Sequence, residues 1–215
     1  MPARLRPTAP IGPDAILVGD PGRALMLAQV LLEEPKMSNH ARGLWGYSGV
    51  TPAGAELTIQ STGMGGPSAA VVLADLAELG VRRAIRIGTC SSLGSLELGE
   101  VLIVTEARTE AGTASRPDQD LNERLMGSLA DARAGVAISL DALHDPERHG
   151  PSVLAEAADM QTATLLGAAA GLSIAAAAIL IVTEKSDSGQ LQDEGLEEAA
   201  KRVGKVSADL LSTSS

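Results

Sequence analysis

Short apolar runs alternate along the chain with longer segments whose apolar residues recur at helical spacing. Apolar runs bounded by Gly, Pro or Asp predict strands at Ala15–Val18, Leu44–Val50, Glu56–Ser61, Arg83–Ile87, Glu100–Thr105, Gly135–Ile138 and Ala176–Val182. Helical spacing predicts helices at Gly22–Glu34, Pro67–Leu79, Leu121–Arg133, Ala155–Ala170 and Asp193–Leu211. Pro52–Gly54 predicts a hairpin turn between two of the strands.

This alternation of strands and helices predicts the fold class. It is typical of an α/β protein built as a three-layer α/β/α sandwich with a mixed, mostly parallel central sheet. The 215 residues suit one domain over residues 1–215 with a sizeable core. Ligands of such sheets bind beyond the carboxyl ends of the strands, so candidate chemistry is expected there.

Charge and composition exclude several kinds of partner. The formal net charge of −10 disfavours binding to nucleic acid and to anionic membranes. The apolar run Leu165–Val182 is as long as a membrane span, but Gly171 and Ser173 divide it into a helix end and a buried strand. Cys90 is the one cysteine, and no signal peptide is recognisable, so a reducing cytoplasmic location is expected.

Three glycine-containing segments follow predicted strands and resemble anion-binding loops. They are Val18–Arg23, Ser61–Ser68 and Arg86–Cys90, and the first two lead into predicted helices. Glycines let backbone N–H groups approach an anion closely, and a helix N-terminus adds a favourable dipole. The arginines supply fork-shaped donors for oxyanions. Together the segments predict a site for inorganic or substrate phosphate.

Three residues of these segments also have a plainer interpretation. Arg23 can be a solvated residue of a first helical turn, and Arg86 an unpaired arginine at a strand end. Cys90 is expected to be a small buried apolar residue and not a nucleophile.

The order of these segments resembles that of the nucleoside phosphorylase family, which includes uridine phosphorylase and the hexameric bacterial purine nucleoside phosphorylases. The resemblance runs from about Ile16 to the last helix. It is carried by Gly19–Arg23 (GDPGR), Asn39–Gly43 (NHARG), Ser61–Ser68 (STGMGGPS), Arg86–Cys90 (RIGTC) and Met160–Leu166 (MQTATLL). The last of these stands where the family has its Met-Glu ribose motif.

The resemblance leaves the base open. Ser61–Gly63 and Ala163–Leu166 look more like the uridine branch. Ser139–His144 stands where purine-type relatives have Ser-Ala-Asp-Leu-Phe-Tyr. Either a uridine-type or a purine-type substrate is therefore compatible with the sequence.

The resemblance implies a pentosyltransferase of nucleoside catabolism. Such an enzyme cleaves the N-glycosidic bond of a nucleoside with phosphate and yields the free base and ribose 1-phosphate. Inorganic phosphate is the co-substrate, and neither a metal nor an organic cofactor is expected. The partners implied are a nucleoside and phosphate.

The resemblance also assigns the phosphate-binding residues. In relatives, phosphate is held by the counterparts of Gly19, Arg23, Arg86 and Thr89, and Arg86 is counted with the catalytic residues. Arg42 matches an arginine that reaches into the site of a neighbouring subunit. A homo-oligomer is therefore expected, from a dimer up to a hexamer built as a trimer of dimers.

The nucleoside half of the pattern is altered. Met160 and Gln161 occupy the ribose position, with Gln161 in place of the family's glutamate. Leu143 and His144 stand at the base position, where Leu143 replaces a stacking aromatic. Ser91 replaces the usual glycine after the RIGTC segment.

A carboxylate completes the expected site. Glu184 follows a buried strand, where purine-type relatives have an aspartate that protonates the base, although it can also be an exposed loop carboxylate. An active phosphorylase with weakened or shifted ribose recognition is one interpretation. The alternative is a non-catalytic relative that binds phosphate or a nucleoside as a sensor or structural subunit.

Overall fold

The computed structural model describes residues 4–142, 154–186 and 188–213. Its helices are α1 (Pro21–Leu31), α2 (Gly66–Glu78), α3 (Gln119–Ser128), α4 (Thr162–Gly171) and α5 (Asp193–Ser212). Its strands are β1 (Asp14–Val18), β2 (Glu33–Asn39), β3 (Gly46–Val50), β4 (Glu56–Ser61), β5 (Arg83–Ser92), β6 (Val101–Thr109), β7 (Ala114–Ser115), β8 (Arg133–Ser139), β9 (Ala157–Asp159), β10 (Ala175–Lys185) and β11 (Gly189–Gln190).

A mixed sheet forms the middle layer. Strand β1 pairs in parallel with β4 and β5, and β5 pairs in parallel with β10. The outer strands β2 and β3 add antiparallel pairings at one edge. The side chains of β1 alternate between the two faces, and all five of its residues are buried, as expected of a strand covered on both sides.

Two apolar layers cover the sheet. Helices α2 and α4 pack on one face together with Leu17 of β1, and helices α1, α3 and α5 pack on the other together with Ile16. The predicted α/β fold with helices on both sides of the sheet is therefore confirmed. No helix among residues 4–142, 154–186 and 188–213 is long and apolar enough to cross a bilayer.

One end of the sheet closes on itself and positions the site. Strands β5, β10, β6, β8 and β9 pair in a ring. Near its carboxyl end, β5 pairs with β10 on one side, and its residues Ser91 and Ser92 pair with Ala158 and Ala157 of β9 on the other. The end of β9 is thereby brought beside the end of β5.

The predicted helix Ala155–Ala170 was wrong over its first seven residues. Ala157–Asp159 forms β9, and the helix begins only at Thr162. Alanines favour helices locally, but here they are fully buried between β5 and β8, and this pairing overrides the weak propensity.

Two other helix ends were also misplaced. Helix α1 ends at Leu31, and Glu33–Asn39 forms an edge strand that lacked apolar alternation because most of its residues are exposed. Helix α3 ends at Ser128. The hairpin turn at Pro52–Gly54 was confirmed, since Gly54 has a φ of +84° and the amide of Thr51 donates to the carbonyl of Ala55.

Candidate functional site

A cleft of about 450 Å³ lies where the three predicted phosphate segments meet. The loop after β1, the loop after β4 and the end of β5 form its walls, and the end of β9 closes it. Its lining residues are Gly19, Asp20, Pro21, Arg23, Gly63, Met64, Gly65, Arg86, Gly88, Thr89, Asp159, Met160 and Gln161. The three segments, which are far apart in the sequence, therefore meet at one cleft.

The loop after β1 presents Arg23 on the first turn of α1. Asp20 caps this helix, and its Oδ1 accepts a hydrogen bond of 2.7 Å from the Arg23 amide. Burial lowers the pKa of the Arg23 guanidinium, and although Asp20 raises it, the nearby charge of Arg86 lowers it again. Two desolvated cations that face one cleft favour an anion between them.

The loop after β4 needs its glycines. Gly63 and Gly65 have φ angles of +71° and +79°, which side chains rarely adopt. Gly65 is the N-cap of α2, and the Ser68 hydroxyl of that helix donates to the Thr62 carbonyl at 2.5 Å. The two glycines of this turn present backbone at the cleft.

Arg86 is held in a fixed orientation beneath the cleft. Its Nη2 donates to Asp159 Oδ2 at 2.9 Å, its Nη1 to Gln161 Oε1 at 2.8 Å and its Nε to Thr162 Oγ1 at 3.0 Å. The residue is 4% exposed. A guanidinium has five N–H groups, so one hydrogen on each Nη is not used by these contacts. The interpretation of Arg86 as an unpaired strand-end arginine was wrong.

Asp159 is a residue of the cleft that sequence reasoning missed. Its Oδ1 accepts from the Ser139 hydroxyl at 2.5 Å, and its Oδ2 accepts from Arg86 and from the Thr162 hydroxyl at 2.5 Å. The carboxylate is 1% exposed. The signal was an acidic residue directly before Met160, next to alanines, but the segment was assigned to a helix.

Gln161 is fixed by the loop after β4 as well as by Arg86. Its Oε1 is 3.0 Å from the hydroxyl of Thr62, and its Nε2 donates to the Gly63 carbonyl at 2.5 Å. The side chain borders the cleft, and only 3% of the residue is exposed. Its amide therefore has one orientation.

Glu184 lies beside the cleft and does not line it. It is opposite Ser91 in the β5–β10 pairing, and the Ser91 hydroxyl donates to Glu184 Oε2 at 2.9 Å. Ser91 is two residues beyond Thr89 on the same strand face, so the carboxylate is displaced along β5 by roughly 6.5 Å from the residues predicted to bind phosphate. Glu184 is half-buried and is not the exposed loop carboxylate that was the alternative.

The remaining predicted residues are placed elsewhere. Arg42 has a φ of +61° and lies at a second cleft, of about 390 Å³, with Arg4, Arg6 and His40. Leu143 and His144, predicted at the base position, lie outside the described residues. No cluster that could hold a metal ion is present among the residues described by the structure.

Cys90 is an inert core residue. It is 3% exposed, and burial together with the Asp159 carboxylate raises the pKa of its thiol, although Arg86 acts in the opposite direction. This confirms its prediction as a buried apolar residue.

A family model described as the phosphorylase superfamily matches residues 13–214. The chain belongs to this superfamily. The guanosine phosphorylase of Halorubrum lacusprofundi is 30% identical over 213 residues, which cover 87% of this chain and 86% of that protein. The DeoD-type purine nucleoside phosphorylase of Oceanobacillus iheyensis is 38% identical over 98 residues, which cover 45% of this chain and 41% of that protein.

A solved structure supports the same fold. The purine nucleoside phosphorylase of Toxoplasma gondii, determined with immucillin-H, superposes with a TM-score of 0.78 over 94% of this chain and 90% of that chain, at 23% sequence identity. The predicted resemblance to nucleoside phosphorylases and the predicted enzyme class, a pentosyltransferase, are confirmed.

Proposed function

We propose that this nucleoside phosphorylase acts on purine nucleosides, with inorganic phosphate as the second substrate and no other cofactor. The convergence of Arg23, Arg86 and Thr89 on one cleft carries the proposal. The names of the two similar relatives, a guanosine and a purine nucleoside phosphorylase, favour a purine over uracil. A cytoplasmic location stays a prediction.

Phosphate binds, in this proposal, between the Gly19 backbone, the two guanidinium groups and the Thr89 hydroxyl. When the glycosidic bond breaks, positive charge develops on the sugar and negative charge on the base. A desolvated phosphate held beside the sugar carbon is both the nucleophile and the counter-charge. The fixed guanidinium of Arg86 needs little reorganisation to hold it, and Arg86 is for that reason counted as catalytic.

The nucleoside extends from the phosphate along the end of β5. Met160 and Gln161 border the same cleft and are proposed to contact the sugar. The base then lies toward Ser91 and Glu184, one strand repeat beyond Thr89. Glu184 is proposed to protonate the departing base.

A phosphorolysis assay with a matched pair of arginine variants tests the proposal. Release of hypoxanthine from inosine should require phosphate, and Arg23→Gln should raise the KM for phosphate roughly 10- to 150-fold, the range for a lost hydrogen bond to a charged group. Arg82→Gln, an exposed arginine at the opposite end of β5, is the control. Absence of base release from every purine nucleoside would favour a non-catalytic sensor, and equal effects of both variants would place phosphate elsewhere.

A homo-oligomer in which Arg42 serves a neighbouring site is part of the proposal. Arg42 does not line the cleft of its own chain, although its segment matches the family motif. Oligomers reassembled from Arg42→Ala subunits and Arg23→Gln subunits should recover about a quarter to a half of the activity if the sites are shared. Some sites then combine the intact Arg23 of one subunit with the intact Arg42 of its neighbour. No recovery after mixing and reassembly would contradict a shared site.

A further inference from the structure

The amide of Gln161 has one orientation, which is set by its strongest partners. Arg86 Nη1 can only donate, so the atom 2.8 Å from it must be the carbonyl oxygen Oε1. The Gly63 carbonyl can only accept, so the atom 2.5 Å from it must be the amide nitrogen Nε2. Reversal of the amide would place donor against donor and acceptor against acceptor.

The acceptor side of this amide is already occupied. A carbonyl oxygen has two lone pairs. One lone pair of Oε1 faces Arg86, and the other faces the Thr62 hydroxyl at 3.0 Å. The single hydrogen of the Thr62 hydroxyl goes either to Gln161 Oε1 or to the Val18 carbonyl, which is also 3.0 Å away. In both cases the Thr62 oxygen occupies the space beside this second lone pair. A sugar hydroxyl therefore finds no lone pair of Gln161 to which it can donate.

The donor side of the amide has one hydrogen left. Nε2 has two N–H groups, and Gly63 uses one of them. The other has no acceptor among the residues described by the structure, and the side chain borders the cleft that contains the phosphate residues. An unused N–H on a buried side chain that borders a ligand cleft is expected to find its acceptor on the ligand.

We propose that Gln161 determines sugar specificity as a hydrogen-bond donor. The enzyme recognises an acceptor atom at one sugar position and does not need a hydroxyl that donates there. This inference rests on the proposed function. It implies that an acceptor-only group, such as a methyl ether or a fluorine, can replace one sugar hydroxyl without the loss of affinity that removal of this hydroxyl causes.

Binding of sugar-modified inosines tests this assignment on the unmodified enzyme. Dissociation constants are measured by calorimetry without phosphate, for inosine and for its deoxy, fluoro and O-methyl analogues at the 2′ and 3′ positions. At the position that Gln161 contacts, the deoxy analogue should bind roughly 2- to 12-fold more weakly than inosine, the range for one lost neutral hydrogen bond. At least one acceptor-only analogue at that position should bind more tightly than the deoxy analogue.

A variant links the effect to Gln161 itself. In Gln161→Met the penalty for the deoxy analogue should disappear, because the donor is gone, whereas Gln119→Met on the exposed surface of α3 should retain it. The inference is overturned if neither acceptor-only analogue binds better than the deoxy analogue at either position. Failure of the proposed function is distinct, since the unmodified enzyme would then neither bind nor cleave inosine.

Discussion

Arg86 and Asp159 form an ion pair inside the protein. The distance from Arg86 Nη2 to Asp159 Oδ2 is 2.9 Å, and the two side chains are 5% and 1% exposed. A buried pair gains little net stability over apolar packing, but loss of one partner leaves the other charge unpaired. The pair joins β9 to β5 and, together with Gln161 and Thr162, holds the guanidinium in its observed orientation at the cleft.

Asp159→Asn should therefore lower the stability of the fold without weakening anion binding. The variant should lose about 3–5 kcal/mol of unfolding free energy in urea, because Arg86 stays buried without its counter-charge. Its affinity for phosphate, measured by calorimetry at a temperature where it is folded, should be unchanged or higher, because the contacts of Arg86 with Gln161 and Thr162 still hold the guanidinium in place while a competing negative charge has gone. Asp131→Asn, from an ion pair whose aspartate is 67% exposed, should change stability by no more than about 1 kcal/mol. Weaker phosphate binding with unchanged stability would contradict this account.

The sequence predicted the parts of the site that local patterns determine. Glycine turns after apolar runs placed Gly19, Gly63 and Thr89 correctly, because the ends of neighbouring parallel strands must meet at one edge of a sheet. The short strand β9 and its Asp159 were not predictable from local pattern, since alanines before an apolar helix look helical on their own. Only long-range pairing with β5 and β8 makes this segment a strand.

The orientation of side chains was also beyond the sequence. The replacement of a glutamate by Gln161 was visible, but its effect depends on which of its atoms faces Gly63 and which faces Arg86. Similarly, the substitution of the usual glycine by Ser91 had no evident role until the Ser91 hydroxyl was found at Glu184. Both facts concern partners far away in the sequence.

Gly88→Ala should disable the phosphate site by steric means. A Cβ at this position would lie 2.5 Å from Arg86 Nη2 and 2.8 Å from Leu180 Cδ2, so the guanidinium must move. We expect the KM for phosphate to rise at least tenfold, because the fixed donors of Arg86 are displaced from the anion. Steady-state kinetics with phosphate varied at saturating nucleoside provide the measurement.

The matched control for this change is Gly94→Ala. A Cβ there would meet no atom within 4 Å, and the residue has no positive φ. Its phosphate KM should remain that of the unmodified enzyme. A Gly88→Ala variant with the same kinetics as the control would show that Arg86 does not need its observed position.

The thiol of Cys90 should make stability fall in alkaline solution. Its pKa is raised in the folded protein, mainly by burial, so the folded state keeps the proton at a pH where the unfolded chain has lost it. Stability should be unaffected below an ordinary thiol pKa of about 8.5 and fall above it, by about 2 kcal/mol between pH 7 and pH 10. Urea unfolding across this range, compared with Cys90→Ala, isolates the thiol from the other groups that titrate. Identical pH slopes in both proteins would refute the prediction.

Glu184 is the carboxylate that the proposed mechanism uses as a general acid. It is positioned by the Ser91 hydroxyl at 2.9 Å and is adjacent in sequence to Lys185, whose Nζ binds Glu97 Oε1 at 2.6 Å. The two carboxylates thus lie at the same end of β10, but only Glu184 is on the path along β5 from the phosphate residues. Glu184→Gln and Glu97→Gln therefore form a matched pair of variants that remove the same charge at two nearby places.

Glu184→Gln should slow the cleavage of inosine by roughly 10²–10⁴-fold, the effect of a lost general acid, whereas Glu97→Gln should leave the rate nearly unchanged. The loss should fall on kcat, since a proton is needed only when the base departs. A purine nucleoside methylated at N7 carries its positive charge already and leaves without that proton, so Glu184→Gln should cleave it at close to the unmodified rate. Parallel assays on the two substrates provide the comparison. If both are slowed equally, Glu184 orients the nucleoside and does not protonate the base.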